Sequence, residues 1–138
     1  MATSNTLFGL DVGTRRIGIA RAELDVRLAV PYKTLEVDDE TIDQLVSLFE
    51  AENPTVVIVG YPRNQSGEAT AQTEAVVSFA EKLKSAWTGA ILFQDESLTS
   101  VLAEDRLRQR GKPYDKAAID AEAAVILLQD YIEANYGH

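Results

Sequence analysis

Thr6-Leu7-Phe8-Gly9-Leu10-Asp11-Val12-Gly13-Thr14-Arg15-Arg16-Ile17-Gly18-Ile19-Ala20 is the stretch whose reading decides the fold. Leu7, Phe8 and Leu10 mark a short buried strand that ends at Asp11. Gly13 and Thr14 make the turn. Residues 17–24 read as a second strand, with Ile17 and Ile19 alternating against Gly18 and Ala20. Residues 28–37 read as a third, and Pro31 points to an edge position or a strand start. Two turns so closely spaced favour antiparallel hairpins.

Beyond this opening, strands and helices alternate. Asp38 and Asp39 are placed to cap a helix carrying Ile42, Leu45, Val46 and Phe49 at helical spacing, which Asn53-Pro54 ends. Residues 55–60 are almost wholly β-branched, the pattern of a strand covered on both faces. A polar loop over 61–67 leads to a helix with Ala75, Val76, Phe79, Ala80 and Leu83 on one face. A strand over 90–94 follows, then a helix marked by Leu98, Val101, Leu102 and Leu107. Gly111-Lys112-Pro113 interrupts the chain before a last helix over 116–135. The order β-β-β-α-β-α-β-α-α predicts one α/β domain over residues 1–138, with a five-stranded mixed sheet and helices on both faces. No internal repeat or linker divides it.

Composition narrows the chemistry. The 138 residues suffice for a proper core, burying about two-thirds of the unfolded surface. Cysteine is absent and the single histidine is His138, so thiolate sites, histidine-based zinc sites and Ser-His-Asp catalysis are excluded in practice. Carboxylates, Lys, Tyr, Ser and Thr remain. The first residues show neither a basic start nor a long apolar run, and with no cysteine this fits a cytoplasmic protein without a membrane segment. The net charge of −9 requires that any nucleic-acid site be a local basic patch, or use metal ions to change the sign of the field.

Three carboxylates stand where chemistry is expected. Asp11 ends a buried strand, where an ionised carboxylate is costly unless paired or metal-bound. Gly13 lets the backbone approach a ligand, Thr14 adds a hydroxyl, and Arg15 and Arg16 supply charge. The same turn suits a metal ion, a phosphate, or an Asp that only organises the turn. Glu96 follows the strand Ile91-Leu92-Phe93, at the carboxyl end where open α/β sheets place ligands; it also suits the start of the next helix. Asp120 shares a helical face with Ala124, Leu127 and Tyr131, the face that should dock on the sheet, and Asp115 is an equally good cap. Glu122, about 200° around the helix, is expected to face solvent. Converging at one sheet edge, the three carboxylates can hold two Mg²⁺ or Mn²⁺ ions roughly 3.5–4 Å apart for phosphodiester cleavage.

The segments Gly9 to Ala20, Val57-Ile58-Val59-Gly60-Tyr61-Pro62, Asp95-Glu96-Ser97-Leu98-Thr99 and Ile119-Asp120-Ala121-Glu122-Ala123-Ala124, in this order, closely resemble the YqgF family. These are bacterial Holliday-junction-resolvase-like proteins with the RNase H-like fold, assigned to processing the 5′ end of pre-16S ribosomal RNA. The resemblance implies a metal-dependent nuclease with Asp11, Glu96 and Asp120 at the acidic positions. Gly13, Thr14, Arg15, Arg16, Arg63 and Asn64 then fall on the substrate side. The chain departs from the family at Ser97, where Arg is typical, at Tyr61, where Leu is typical, and at Gln65, where the family is apolar.

Four functions compete. The first is a nuclease of structured RNA in ribosome biogenesis; the second keeps the chemistry and cuts branched DNA, which calls for a two-fold dimer. An actin-like ATPase or sugar kinase needs more length and a second phosphate turn. A non-catalytic nucleic-acid module fits the acidic balance but leaves three acids unexplained. The densest basic stretch, Arg106, Arg108, Arg110, Lys112 and Lys116, reads as either a phosphate track or a solvated helix end. Tyr61 reads as a base-stacking or edge-covering residue, and Trp87 as packing.

Overall fold

The strand–helix order predicted from the sequence is the order found in the computed structural model, which describes residues 5–62, 68–96 and 99–136. The elements are β1 (Thr6–Val12), β2 (Arg16–Glu23), β3 (Val30–Glu36), α1 (Thr41–Glu52), β4 (Val56–Pro62), α2 (Ala71–Ala86), β5 (Ile91–Glu96), α3 (Thr99–Arg110) and α4 (Lys116–Tyr136). They build a sheet in the order β3-β2-β1-β4-β5. The tight turns make β1–β2 and β2–β3 antiparallel. Crossovers through α1 and α2 make β1–β4 and β4–β5 parallel. β3 is an edge strand, and its Pro31 sits beside the irregularity at Ile19/Ala20 of β2.

Side-chain alternation gives each face of the sheet its own core. Phe8, Leu10, Ile17, Ile19, Val57 and Val59 pack against Leu45 and Phe49 of α1 and Val76 and Leu83 of α2. Trp87 joins this layer, its ring centroid 4.9 Å from that of Phe49. On the other face, Leu7, Ala20, Ala22 and Ile58 meet Ala124, Leu127, Leu128 and Ile132 of α4. β2 is therefore covered on both faces, and its small residues, Gly18 and Ala20, admit the helix.

Some local expectations change. Asp38 accepts a hydrogen bond from the Glu40 amide at 2.8 Å, so it holds the turn before α1. The N-cap itself is Glu40, without a side-chain cap. Asn53 closes the helix in the left-handed conformation, its amide donating to the Phe49 carbonyl. α2 starts at Ala71 behind a reciprocal Thr70–Thr73 capping box. β5 continues to Glu96, two residues past the expected end.

α3 lies on α4 instead of on the sheet, with Ala103 against Ala123 and Ile126. Val101 and Leu102, expected to be part of its inner stripe, are 57% and 49% exposed. This placement corrects the expectation for Glu122. It is 2% exposed because α3 covers its side of α4, with Arg110 and Arg106 of α3 at 3.0 and 3.2 Å from its carboxylate. Among the described residues no helix is long and apolar enough to cross a membrane.

Candidate active site

Asp11 is the last residue but one of β1, on the face that α4 covers. Its partner across β2 is Gly18. Gly18 has no Cβ, and the Asp120 carbonyl of α4 occupies the space a Cβ would need. That approach sets the first turns of α4 directly over β2. Two contacts fix the start of the helix: the Thr34 hydroxyl of β3 donates to the Ala117 carbonyl at 2.8 Å, and Asp115 accepts from the Ala118 amide at 2.9 Å. Asp115 thus caps the helix and Asp120 lies within it, as the helical spacing predicts.

Glu96 arrives from the other side, at the end of β5 and opposite Pro62 of β4. It folds over Gly60, where a Cβ would lie 2.5 Å from Glu96 Oε2. Gly60 thus makes room for this carboxylate, as Gly18 does for the backbone of α4.

The three acids feel one another. Asp11 keeps some contact with solvent, yet its carboxyl is pushed up to about 9. Burial contributes most, followed by a side-chain hydrogen bond with Glu96 and the charges of Glu96 and Asp120. A charge on Asp11 would be poorly solvated and would lie at hydrogen-bond distance from a second carboxyl, so Asp11 holds its proton. Asp120 is compensated differently: its Oδ2 accepts from Arg16 Nε at 2.6 Å.

The turn beside these acids opens into a cleft of about 490 Å³ lined by Gly13, Thr14, Arg15, Arg16, Gln72 and Asp120. The Gly13 amide donates to the Arg16 carbonyl at 2.9 Å, and a Cβ on Gly13 would meet that same oxygen at 2.9 Å. Thr14 and Arg15 are exposed. Sequence reading missed Gln72, because its helix pattern became clear only at Ala75; the Thr70–Thr73 cap is the signal that extends α2 into the cleft. A larger cleft of about 570 Å³, lined by Lys33, Glu40, Asp43 and Gln44 between α1 and β3, contains none of the three acids.

Arg63 and Asn64 lie outside the described residues, as do Gln65 and Ser97. Tyr61 stands edge-on to Phe93, ring centroids 5.4 Å apart, at the β5 edge. Arg106 and Arg110 are engaged with Glu122, and Arg108 pairs with Glu104 and Asp105 within α3. Much of the basic stretch is therefore committed to holding α3.

Among the described residues no three carboxylates or histidines stand arranged to hold a metal ion. The donor chemistry nevertheless fits a hard divalent cation. The candidate ligands are all oxygens, and the Asp11 and Glu96 carboxyls are hydrogen-bonded to each other. The Asp120 carboxylate accepts from Arg16.

Comparison with known proteins gives a consistent picture. A family model described as "RuvX: Holliday junction resolvase" matches residues 5–134. A "Putative pre-16S rRNA nuclease" of Chloroflexus aurantiacus is 43% identical over 132 residues, covering 93% of this chain and 86% of the relative. A protein of the same name from Salinibacter ruber is 35% identical, covering 96% of this chain and 95% of the relative. Among solved structures, T. thermophilus RuvC in complex with a Holliday junction substrate superposes with a TM-score of 0.58 at 15% identity, covering 96% of both chains. The fowlpox virus resolvase with Holliday junction DNA gives 0.59 at 12% identity, covering 95% of this chain and 99% of that one. The five-stranded sheet with helices on both faces is the RNase H-like fold.

Proposed function

Because the chain belongs to the RuvX Holliday junction resolvase family, we propose that it is a single-domain cytoplasmic nuclease that hydrolyses phosphodiester bonds with Mg²⁺ or Mn²⁺ held by Asp11, Glu96 and Asp120. The observation that carries the reading is Asp11 itself, a strand-end carboxyl buried under α4 and hydrogen-bonded to Glu96, which holds its proton up to about 9. Such an arrangement costs stability unless a ligand uses it. One or two divalent ions bound there would activate a water and stabilise the leaving oxygen.

The protein's own residues divide the remaining work. Gly18 and Gly60 bring α4 and Glu96 onto the sheet, so the ligand set is fixed by rigid elements. Gly13, Thr14, Arg15 and Arg16 form one wall of the cleft along which a phosphate backbone is taken up. Arg15 meets that backbone as an exposed cation. Arg63 and Asn64 are assigned to the same substrate from the sequence. With a net charge of −9, binding depends on this local cluster and on the cation.

The substrate we assign is structured RNA, the precursor of 16S ribosomal RNA, on the strength of the relatives' names and of identities up to 43% over most of both chains. Branched DNA is the second reading, favoured by the family's description. The test is cleavage of a pre-16S rRNA fragment and of a four-way DNA junction with Mn²⁺ or Mg²⁺, using the native chain, Asp11→Asn and Asp120→Asn. Cation-dependent RNA cleavage that both substitutions abolish is expected. Junction cleavage alone would transfer the assignment to DNA, and activity surviving both substitutions would overturn the metal site.

A further inference from the structure

Arg16, besides lining the cleft, has a second partner in Asp120. It opens β2, and its Nε lies 2.6 Å from Asp120 Oδ2, the side chains being 28% and 23% exposed. Asp120 is thus a site carboxylate that a protein cation already engages. The pair is a weak structural device. Ion pairs with this much solvent contact add little to stability, and α4 is already fixed by Ala124, Leu127, Leu128 and Ile132 on the sheet. The same guanidinium also lines the cleft with Thr14, Arg15 and Gln72, and its planar donor set matches a phosphate as well as it matches a carboxylate.

We infer that Arg16 is a resident counter-ion for Asp120 that a divalent cation displaces, and that the displaced guanidinium grips a substrate phosphate in the adjacent cleft, so that cation and nucleic acid bind cooperatively. The inference rests on the reading that Asp11, Glu96 and Asp120 hold the cation. Two positive groups compete for one carboxylate. A cation at Asp120 therefore competes with Arg16 for its charge, and a phosphate that accepts Arg16 removes the competitor. By linkage, whatever factor nucleic acid adds to cation affinity, the cation adds to nucleic-acid affinity. Arg16 is thus a positioning residue whose partner changes from protein to substrate.

The experiment is Mn²⁺ titration of the full chain by calorimetry, for the native protein, Arg16→Gln and Arg16→Lys, with melting curves to confirm that each is folded. Stopped-flow anisotropy of a labelled RNA hairpin, read before turnover with and without Mn²⁺, supplies the second measurement. Arg16→Gln is expected to bind Mn²⁺ about 5–10-fold more tightly without RNA, the lower range of coupling between sites. The enhancement of RNA binding by Mn²⁺ falls by a similar factor, and Arg16→Lys restores native-like behaviour. Equal or weaker Mn²⁺ binding by Arg16→Gln, with the native chain binding Mn²⁺ normally, overturns the counter-ion role and leaves the metal site standing. No Mn²⁺ binding by any of the three chains overturns the metal site itself, and this inference with it.

Discussion

Two acidic positions only two residues apart on α4 meet opposite fates. Glu122 is buried between α4 and α3 and receives two guanidinium groups, from Arg106 and Arg110. Asp120, on the sheet side, belongs to a group of three carboxylates in which Arg16 engages Asp120 and Asp11 holds a proton beside Glu96. The first cluster is electrically complete within the protein. The second gathers three acids by close backbone approach, Gly18 admitting the main chain of α4 at Asp120 and Gly60 admitting the Glu96 carboxylate. Balance marks a structural tie, while acids gathered by rigid elements mark a place for a ligand.

Removing one acid from each cluster breaks the comparison most sharply at Asp11. Asp11→Asn should lower cation-dependent cleavage more than about 100-fold, because even outer partners of a metal site are worth 10–100-fold. It should not lower the melting temperature measured without cation. At Glu122 the pattern inverts. The double substitution Arg106→Ala, Arg110→Ala leaves a buried carboxylate uncompensated and should cost about 3–5 kcal/mol in denaturant unfolding. Glu122→Gln, which leaves two half-exposed arginines able to reach water, should cost only about 1–3 kcal/mol. Cleavage per folded molecule should survive Glu122→Gln. Loss of catalysis with intact stability at Glu122 would place it in the site.

Between the clusters lies the contact that sets their spacing. Gly18→Ala drives a methyl into the Asp120 carbonyl, which backbone cannot yield cheaply, so a loss of about 1–3 kcal/mol is expected, together with weaker Mn²⁺ binding as Asp120 moves off the sheet. Unchanged Mn²⁺ affinity in a destabilised Gly18→Ala would mean that Asp120 does not reach the cation.

The sequence revealed the element order, the edge position of β3 and the placement of the three acids on two strand ends and one helix, because each rests on local pattern: period, turn residues and caps. It misjudged Glu122 because helical angle was taken to mean solvent, and only the docking of α3 on α4 shows which flank is covered. The same docking exposes Val101 and Leu102. It missed Gln72 because a polar residue in a capped first turn carries no hydrophobic signal. The Arg16–Asp120 pair, 104 positions apart in the chain, has no local signature at all.

The pH response sharpens the contrast further. In the unfolded chain Asp11 ionises near the ordinary 3.8, whereas in the fold it keeps its proton up to about 9. The folded state therefore binds the proton more tightly, and its contribution to stability is full below about 4 and is lost as pH rises toward 9. Cation-free protein should lose stability steadily over that window; Mn²⁺ should flatten the loss, and Asp11→Asn should remove most of it. A cation-free stability profile that rises between pH 5 and 8 would contradict the proton held on Asp11.

The smallest expected effect tests the rim of the second cluster. Arg15 is exposed and lines the cleft beside Arg16. If its role is one phosphate contact, Arg15→Ala weakens nucleic-acid binding several-fold and almost uniformly across sequences. It also lowers the slope of log affinity against log salt by about 1. Stability should be unchanged within about 0.5 kcal/mol, as at other exposed positions. Arg108→Ala supplies the control from the complete cluster's side of the molecule: its charge is equally exposed, but it pairs with Glu104 and Asp105 on α3. If both substitutions shift the salt slope equally, the protein's field as a whole attracts the substrate. If Arg15 alone shifts it, attraction is local to the side of α4 that carries Asp11, Glu96 and Asp120.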